Sequence, residues 1–395
     1  MALFQGFFMP HAKNSRLFLI LLLGSLSAFG PFITDLYLPA LPGMGEYFHT
    51  SASMVQLTLT TSMIGLGLGQ LFIGPISDKY GRIRPLMVSL AIYIASTLLI
   101  VFTQDIEGMI VLRAIQGLSS AGSVVLSRAI AADWYQGEEL GRFYGLLMSV
   151  NGIAPIISPV FGALLLQFTN WRGIFVVLVL IGVVLMAFCR RLEESHPPHK
   201  RVSGSLLSIF AVLGKILGNR TFMGFSCIQA LVMGGLFAYI ASSSFIFQTA
   251  YGVSDFVYSL CFALNGAALV GGATLARKMR VQRALRFGIG GYAAAALLVA
   301  LVLCAQAPVW LVEIGFFLLL FCMGCVNPGL SALAMSAERQ YAGSASAFLG
   351  FFGFTLGGAV SPLVGIGNIF YAAASAILVC ALLAAALYWQ MRDKA

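Results

Sequence analysis

Residues 74–85, GPISDKYGRIRP, interrupt an apolar chain with a short, ordered set of glycines and charges. Gly74 and Gly81 permit close backbone approach and a tight turn, Asp78 suits a helix N-terminus, and Arg82 carries planar donors that can fork onto a carboxylate. An ordinary basic loop would account for Lys79, Arg82 and Arg84 alone. It would not account for the order Gly, Asp, Gly, Arg, which predicts a conformational latch between helix ends.

Outward from this break, runs of about 20 apolar residues follow one another in both directions, the length a helix needs to cross a bilayer. They fall at approximately 17–40, 52–76, 85–103, 108–131, 143–167, 171–190, 221–248, 256–276, 286–305, 309–333, 344–366 and 369–389. Composition agrees: 59% hydrophobic residues, 9% charged ones and a mean hydropathy of +0.93 leave too little polar surface to cover a soluble globule of 395 residues. The alternation of a membrane β-barrel is absent. The fold class is an all-α integral membrane protein with twelve transmembrane helices.

Basic residues set the orientation. With the N-terminus inside, 20 of the 23 Lys and Arg fall on inner segments; only Arg172 lies outside, and Arg113 and Arg128 lie within a span. Both termini are expected in the cytoplasm. The net charge of +9 is spread over every inner loop rather than gathered in one module. It therefore points to topology and contact with anionic membrane lipid, not to nucleic acid. The first apolar run is longer than a usual signal-peptide core, which favours an uncleaved helix. The seven cysteines sit in or at the ends of spans and imply no disulfide framework; Cys322 and Cys325 are packing residues. The histidines form no metal cluster. No cofactor, metal or catalytic residue is expected, so the chain is not read as an enzyme.

The longest hydrophilic interval, RRLEESHPPHKRVSG from Arg190 to Gly204, separates six spans from six. Residues 1–190 and 220–395 form two six-helix bundles, and 191–219 a cytoplasmic linker in which SLLSIFAVLGKIL reads as an amphipathic surface helix. SPVFG at 158–162 recurs as SPLVG at 361–365, a shift of 203 residues. Pseudo-symmetric parallel bundles are a transporter architecture with a substrate cavity between them.

The latch stretch resembles the signature of the major facilitator superfamily, matching it at Gly74, Asp78, Lys79, Gly81, Arg82 and Arg84, with Ile83 where a second basic residue is usual. Three further stretches are similar to the Bcr/CflA branch of drug/proton antiporters: TDLYLPALP at 34–42, LRAIQGLSSAG at 112–122, and GLLMSVNGIAPIISPVFGA at 145–163. The last resembles the antiporter motif through Gly145, Pro155, Pro159 and Gly162, whereas Ala154, Ser158 and Ala163 stand where glycine is commoner. RAIAADWY departs from the branch, with Ala132 before Asp133 where arginine is usual; Arg128 is a candidate substitute in the latch.

Asp35, at the outer end of the first span, costs roughly 2.5–3.5 kcal/mol on insertion scales and so needs a partner or a role. Arg113 on the fourth span lies at similar depth. The resemblance implies that Asp35 and Arg113 carry proton coupling, and their depths predict contact. A guanidinium favours the charged carboxylate and an apolar cavity the neutral acid, so a group between the two can exchange a proton. A static ion pair and a hydrated interfacial acid are the alternative readings. Gln116, Asn151, Tyr239, Asn265 and Asn327 are candidate polar cavity residues, with Met148, Leu236 and Phe237 as an adaptable apolar wall. Each could instead pack between helices. Glu313 is the second half's main intramembrane acid.

The expected function is proton-coupled efflux of small, mostly lipophilic molecules or drugs across the bacterial inner membrane, by a monomer working through alternating access. Export of one metabolite or siderophore, or proton symport or uniport on the same fold, are the alternatives. Short loops and tails argue against a non-transporting sensor. An enzyme lacks support from any phosphate loop or Ser/His/Asp set.

Overall fold

A computed structural model describes residues 14–135, 137–201, 214–338 and 342–391. Twelve long helices follow in chain order: α1 Arg16–Asp35, α2 Ala52–Tyr80, α3 Ile83–Phe102, α4 Ile106–Trp134, α5 Gly137–Leu166 and α6 Trp171–Cys189. Then come α7 Arg220–Ser244, α8 Asp255–Arg277, α9 Val281–Cys304, α10 Val309–Ala337, α11 Ala342–Val360 and α12 Ile369–Met391. Eleven are long and apolar enough to cross a membrane; of α5, the stretch Ile153–Leu166 is apolar among the described residues. The chain is a multi-pass membrane protein.

Polar caps decide where several helices begin. Ser15, Ser51, Asp105, Asn170, Asn219 and Ser254 each accept a backbone N–H from the first turn that follows. The first span stops earlier than its hydropathy suggests. After Asp35 the chain turns through the 3-10 helix Leu38–Ala40 into a short helix, Leu41–Tyr47, because Pro39 and Pro42 have no N–H to continue α1. Of the expected amphipathic linker helix, residues 202–213 lie outside the described residues, while 214–218 are helical.

The same pairings occur on both sides of the linker. In the first half α2 packs on α4, α3 on α4 and α6, and α1 on α4 and α5; in the second, α8 packs on α10, α9 on α10 and α12, and α7 on α10 and α11. Between halves, α2 meets α11 and α5 meets α8, two contacts that a two-fold relation exchanges. Glycine makes the tightest of these crossings possible. A Cβ at Gly117 would collide with the Ser62 carbonyl across α2–α4, and one at Gly324 with the Leu269 carbonyl across α8–α10. This duplicated packing places a cavity between the halves. Alternate helix ends define two faces: a basic face carrying Arg82, Arg84, Arg190, Arg191, Arg220 and Arg277, and a far face carrying Arg172.

Candidate functional site: an interhelical cavity and a basic-face latch

A cavity of about 770 Å³ lies between the two halves, lined mainly by apolar side chains. It extends from Asp35 and Tyr239 to Arg128 on α4 and Met335 on α10. Hydrogen bonds between the halves cluster toward the far face. Ser53 Oγ donates to the Pro362 carbonyl and Ser259 Oγ to the Pro159 carbonyl, both at 3.0 Å. Gln56 Nε2 donates to the Ala241 carbonyl and Gln248 Nε2 to the Pro39 carbonyl, also at 3.0 Å. Pro159 and Pro362 occupy equivalent places in SPVFG and SPLVG, so the repeated motif supplies one acceptor to each half's contact.

Asp35 faces this cavity although it is only 5% exposed. Its Oδ1 accepts from the Thr34 hydroxyl at 2.9 Å. The expected contact with Arg113 is not made: Nε and Nη1 of Arg113 bond elsewhere, and its buried Nη2 has no hydrogen-bond partner among the described residues. Arg113 is fully buried, and its Nε donates to the Thr58 carbonyl at 3.3 Å while Nη1 donates to the Ile33 carbonyl at 3.2 Å and to Gln116 Oε1. Its guanidinium stacks over Tyr37, 4.4 Å from the ring centre. The C-terminal turn of α1 thus gives Arg113 one carbonyl, Ile33, at the negative end of a helix dipole, α2 adds the Thr58 carbonyl, and Tyr37 adds an aromatic face.

Gln116 belongs to the same buried cluster rather than to the cavity wall, since its Nε2 donates to Thr97 Oγ1 at 2.8 Å. Asn265 is likewise behind the wall. Its Nδ2 lies 3.1 Å from both Tyr239 Oη and Glu313 Oε2, joining a cavity residue to the second half's acid. Leu236, Phe237, Tyr239 and Asn327 do line the cavity, as does Pro155. Met148 and Asn151 are on α5, but their side chains, like the surroundings of Gly145, fall outside the described residues. Gly162 meets the end of α1, where a Cβ would strike the Leu36 carbonyl, so this glycine lets α5 close against the residue next to Asp35.

At the basic face, Arg82 joins three segments. Its Nε donates to Asp133 Oδ2 at 2.9 Å, and its Nη1 donates to Asp78 Oδ1 at 2.5 Å and Ser77 Oγ at 2.6 Å. Burial opposes the Arg82 charge, but the bonds and charges of Asp133 and Asp78 outweigh it and raise its pKa. Gly81 makes the turn between α2 and α3 at φ +90°, a conformation that favours glycine. Asp78 does not sit on a helix N-terminus as expected; Glu194 does, accepting the N–H of Arg82 at 2.8 Å and of Ile83 at 3.2 Å. Ser195 Oγ adds a bond of 2.8 Å to Asp133. Gly74 is not a close-approach position, since a Cβ there would meet Val125 at an ordinary 3.8 Å. Arg84 is exposed, and the Lys79 ammonium lies 5.8 Å from the Tyr80 ring centre. Arg128, the proposed substitute in the latch, lines the cavity instead.

Glu194 and Ser195 carry no motif, and only the fold returns the segment after α6 to the α2–α3 turn. Gln70 and Gln229, two further cavity residues, sit in apolar runs where nothing in the local pattern marks the face they occupy. No group of metal-ligating residues is found among the described residues.

A family profile described as Major Facilitator Superfamily matches residues 17–362. An uncharacterized MFS-type transporter, YdgK of Bacillus subtilis, is 37% identical, with 91% of each chain covered. A bicyclomycin resistance protein homolog of Haemophilus influenzae is 27% identical over 89% of this chain and 90% of its own. Among solved structures, the xylose transporter XylE from E. coli in a partially occluded inward open conformation shares the fold, with a TM-score of 0.73 at 12% identity, covering 95% of this chain and 97% of its own. The chain belongs to the major facilitator superfamily, a family of membrane transporters rather than enzymes.

Proposed function

We propose that this major facilitator exports small, mostly lipophilic molecules across the bacterial inner membrane in exchange for protons. The observation that carries the reading is Asp35: a nearly buried carboxylate that faces a large apolar cavity and makes no ion pair among the described residues. An acid so placed exchanges its proton as its surroundings alternate between closed and water-filled. Arg113 fixes the end of α1, the helix that carries Asp35, through the Ile33 carbonyl. Substrate arriving from the cytoplasm displaces the proton, and protonation from the other side permits the return.

The excess of basic residues on one face supports placing that face, and both termini, in the cytoplasm. In that orientation the halves are joined at the outer side and the cavity belongs to an inward-facing state. Arg82, Asp78, Asp133 and Glu194 would then act as a cytoplasmic latch that re-forms in each cycle. Bundles 1–190 and 220–395 move as units about the 191–219 linker, and one chain completes the cavity, so a monomer in contact with membrane lipid suffices. The name of the Haemophilus relative supports drugs as cargo.

The test is proton release from purified protein on addition of lipophilic compounds, comparing the natural chain with Asp35→Asn. Release that disappears in the variant supports coupling at Asp35. Unchanged release would move the coupling acid elsewhere, with Glu313 next in line, and uptake accelerated by an inward proton gradient would replace export with symport.

A further inference from the structure

The cavity has a second charged wall that the coupling reading does not use. Its charged lining residues are Asp35 and Arg128, on different helices. Arg128 makes no ion pair among the described residues, and its buried Nε has no hydrogen-bond partner. The Tyr144 hydroxyl bonds its backbone, donating to the Arg128 carbonyl at 3.2 Å. An unpaired cation inside a membrane bundle is costly, and guanidinium does not shed its charge to escape the cost.

Three amides line the same cavity with an unpartnered buried atom each: Gln70 Nε2 on α2, Gln229 Oε1 on α7 and Asn327 Oδ1 on α10. Gln70 is only 7% exposed. Gln229 is held from its other end, where Nε2 donates to Ser331 Oγ at 3.0 Å. Four helices, two from each half, therefore bring incomplete polar groups to one cavity. Buried polar groups are normally satisfied, and these residues line the cavity although the unpartnered atoms themselves are turned away from it, so a ligand's polar groups meet them once the side chains turn inward. An amide can turn to offer either N–H or C=O, whereas Arg128 can only donate, so Arg128 decides the sign of what binds.

We propose that Arg128 is an anion-binding subsite, and that the preferred ligands are dipolar amphiphiles with a carboxylate on Arg128 and an amine or other donor directed to Asp35. This rests on the export reading, in which the donor end competes with the proton at Asp35. The apolar wall takes the body of the ligand, and Gln70, Gln229 and Asn327 complete its polar contacts. An opposite-sign pair of lining charges suits a molecule with both charges better than a simple cation, which would meet Arg128 uncompensated.

Four fluorescent probes with one common body test this: Nα-dansyl-lysine with both charges, dansylcadaverine with the amine alone, dansylnorleucine with the carboxylate alone, and N-pentyl dansylamide with neither. Binding is read from dansyl fluorescence with the full chain in nanodiscs, corrected with empty nanodiscs. The two carboxylate probes are expected to bind about tenfold tighter than their counterparts, a preference worth about 1.4 kcal/mol. Arg128→Gln should erase that preference, leave the neutral probe within about twofold and tighten dansylcadaverine, whose amine no longer meets an uncompensated cation. Arg128→Lys should keep part of it, with thermal unfolding monitored for all variants.

The proposal is overturned if the natural chain shows no carboxylate preference, if the preference survives Arg128→Gln, or if that variant weakens all four probes equally. Should Arg128→Gln not fold, a reduced preference in Arg128→Lys or in Gln70→Ala supports the subsite and its full retention in both overturns it. Proton release is read in parallel with Asp35→Asn, so a failure of coupling is distinguished from a failure of anion recognition.

Discussion

The interiors of the two halves use the same helix packing and opposite chemistry. In the first, Arg113 is buried at the end of α1 and held by two backbone carbonyls, Gln116 and the Tyr37 ring, with Nη2 left unpartnered. In the second, Glu313 on α10 is held by Asn265, which also reaches Tyr239, and Glu313 Oε1 has no partner. One half buries a cation held by several groups; the other partly buries an acid held by a single amide. The basic face shows the same imbalance, for Arg82 is clamped between Asp78 and Asp133 at the α2–α3 turn, while the α8–α9 turn with Arg277 and Arg280 has no ion pair among the described residues. Duplication has kept the scaffold, and charge has been concentrated in the first half.

The sharpest way to break this contrast is to remove Arg113. Arg113→Ala is expected to cost about 1–3 kcal/mol for each buried acceptor it leaves unpaired, and to abolish export. Arg113→Lys should rescue little, because an ammonium cannot reach Thr58, Ile33 and Gln116 together while stacking on Tyr37. Thermal unfolding and vesicle transport read both variants, and full activity of either would remove Arg113 from the machinery.

Next in size, Arg82→Ala and Asp78→Asn are expected to slow transport about tenfold while equilibrium binding stays within about twofold, since the latch bonds bridge helix ends rather than line the cavity. Glu194→Gln should have a smaller effect, because an amide oxygen still accepts the N–H groups of Arg82 and Ile83. Binding lost in step with transport would make the cluster a structural brace.

Smaller still should be Glu313→Gln, which keeps an acceptor for Asn265 and is expected to change proton-driven export by less than about threefold, as for loss of one modest interaction. A loss as deep as that of Asp35→Asn would show that coupling is shared between the halves. Smallest per site are Ser53→Ala and Ser259→Ala, each removing a hydrogen bond worth about 1 kcal/mol at the far face. Cysteine-labelling rates on that face should rise in both, by similar factors if the two-fold relation governs opening.

Much of the fold was legible before any coordinates. Hydropathy marks the helices, basic residues mark alternate ends, and SPVFG with SPLVG marks the duplication. Pro39 and Pro42 moved the end of α1, a local effect that an averaged hydropathy window blurs. The candidate site was legible less evenly. Asp35 announces itself by its cost in an apolar run, and Arg82 by its motif. The bonding of Arg113 differs from the expected carboxylate because backbone carbonyls have no signature in sequence, and any residue type can supply them. Glu194 is inconspicuous because a carboxylate in a charged linker looks solvated until the fold brings it back to the α2–α3 turn. Gln116 and Arg128 exchanged expected places, one behind the wall and the other in it. Which face of a helix meets a cavity depends on neighbours that a single sequence leaves unspecified.

The two charges lining the cavity also have an electrical consequence. With Asp35 ionised, Asp35 and Arg128 sum to zero; with Asp35 protonated, the pair carries one positive charge. In the proposed orientation, the membrane potential therefore acts on the empty carrier chiefly during the proton-loaded return, contributing up to about 2.3 kcal/mol per 100 mV if the whole field is crossed. A dipolar cargo adds no net charge to the outward stroke. Voltage would drive the reset of the carrier, leaving the export step itself nearly indifferent to it.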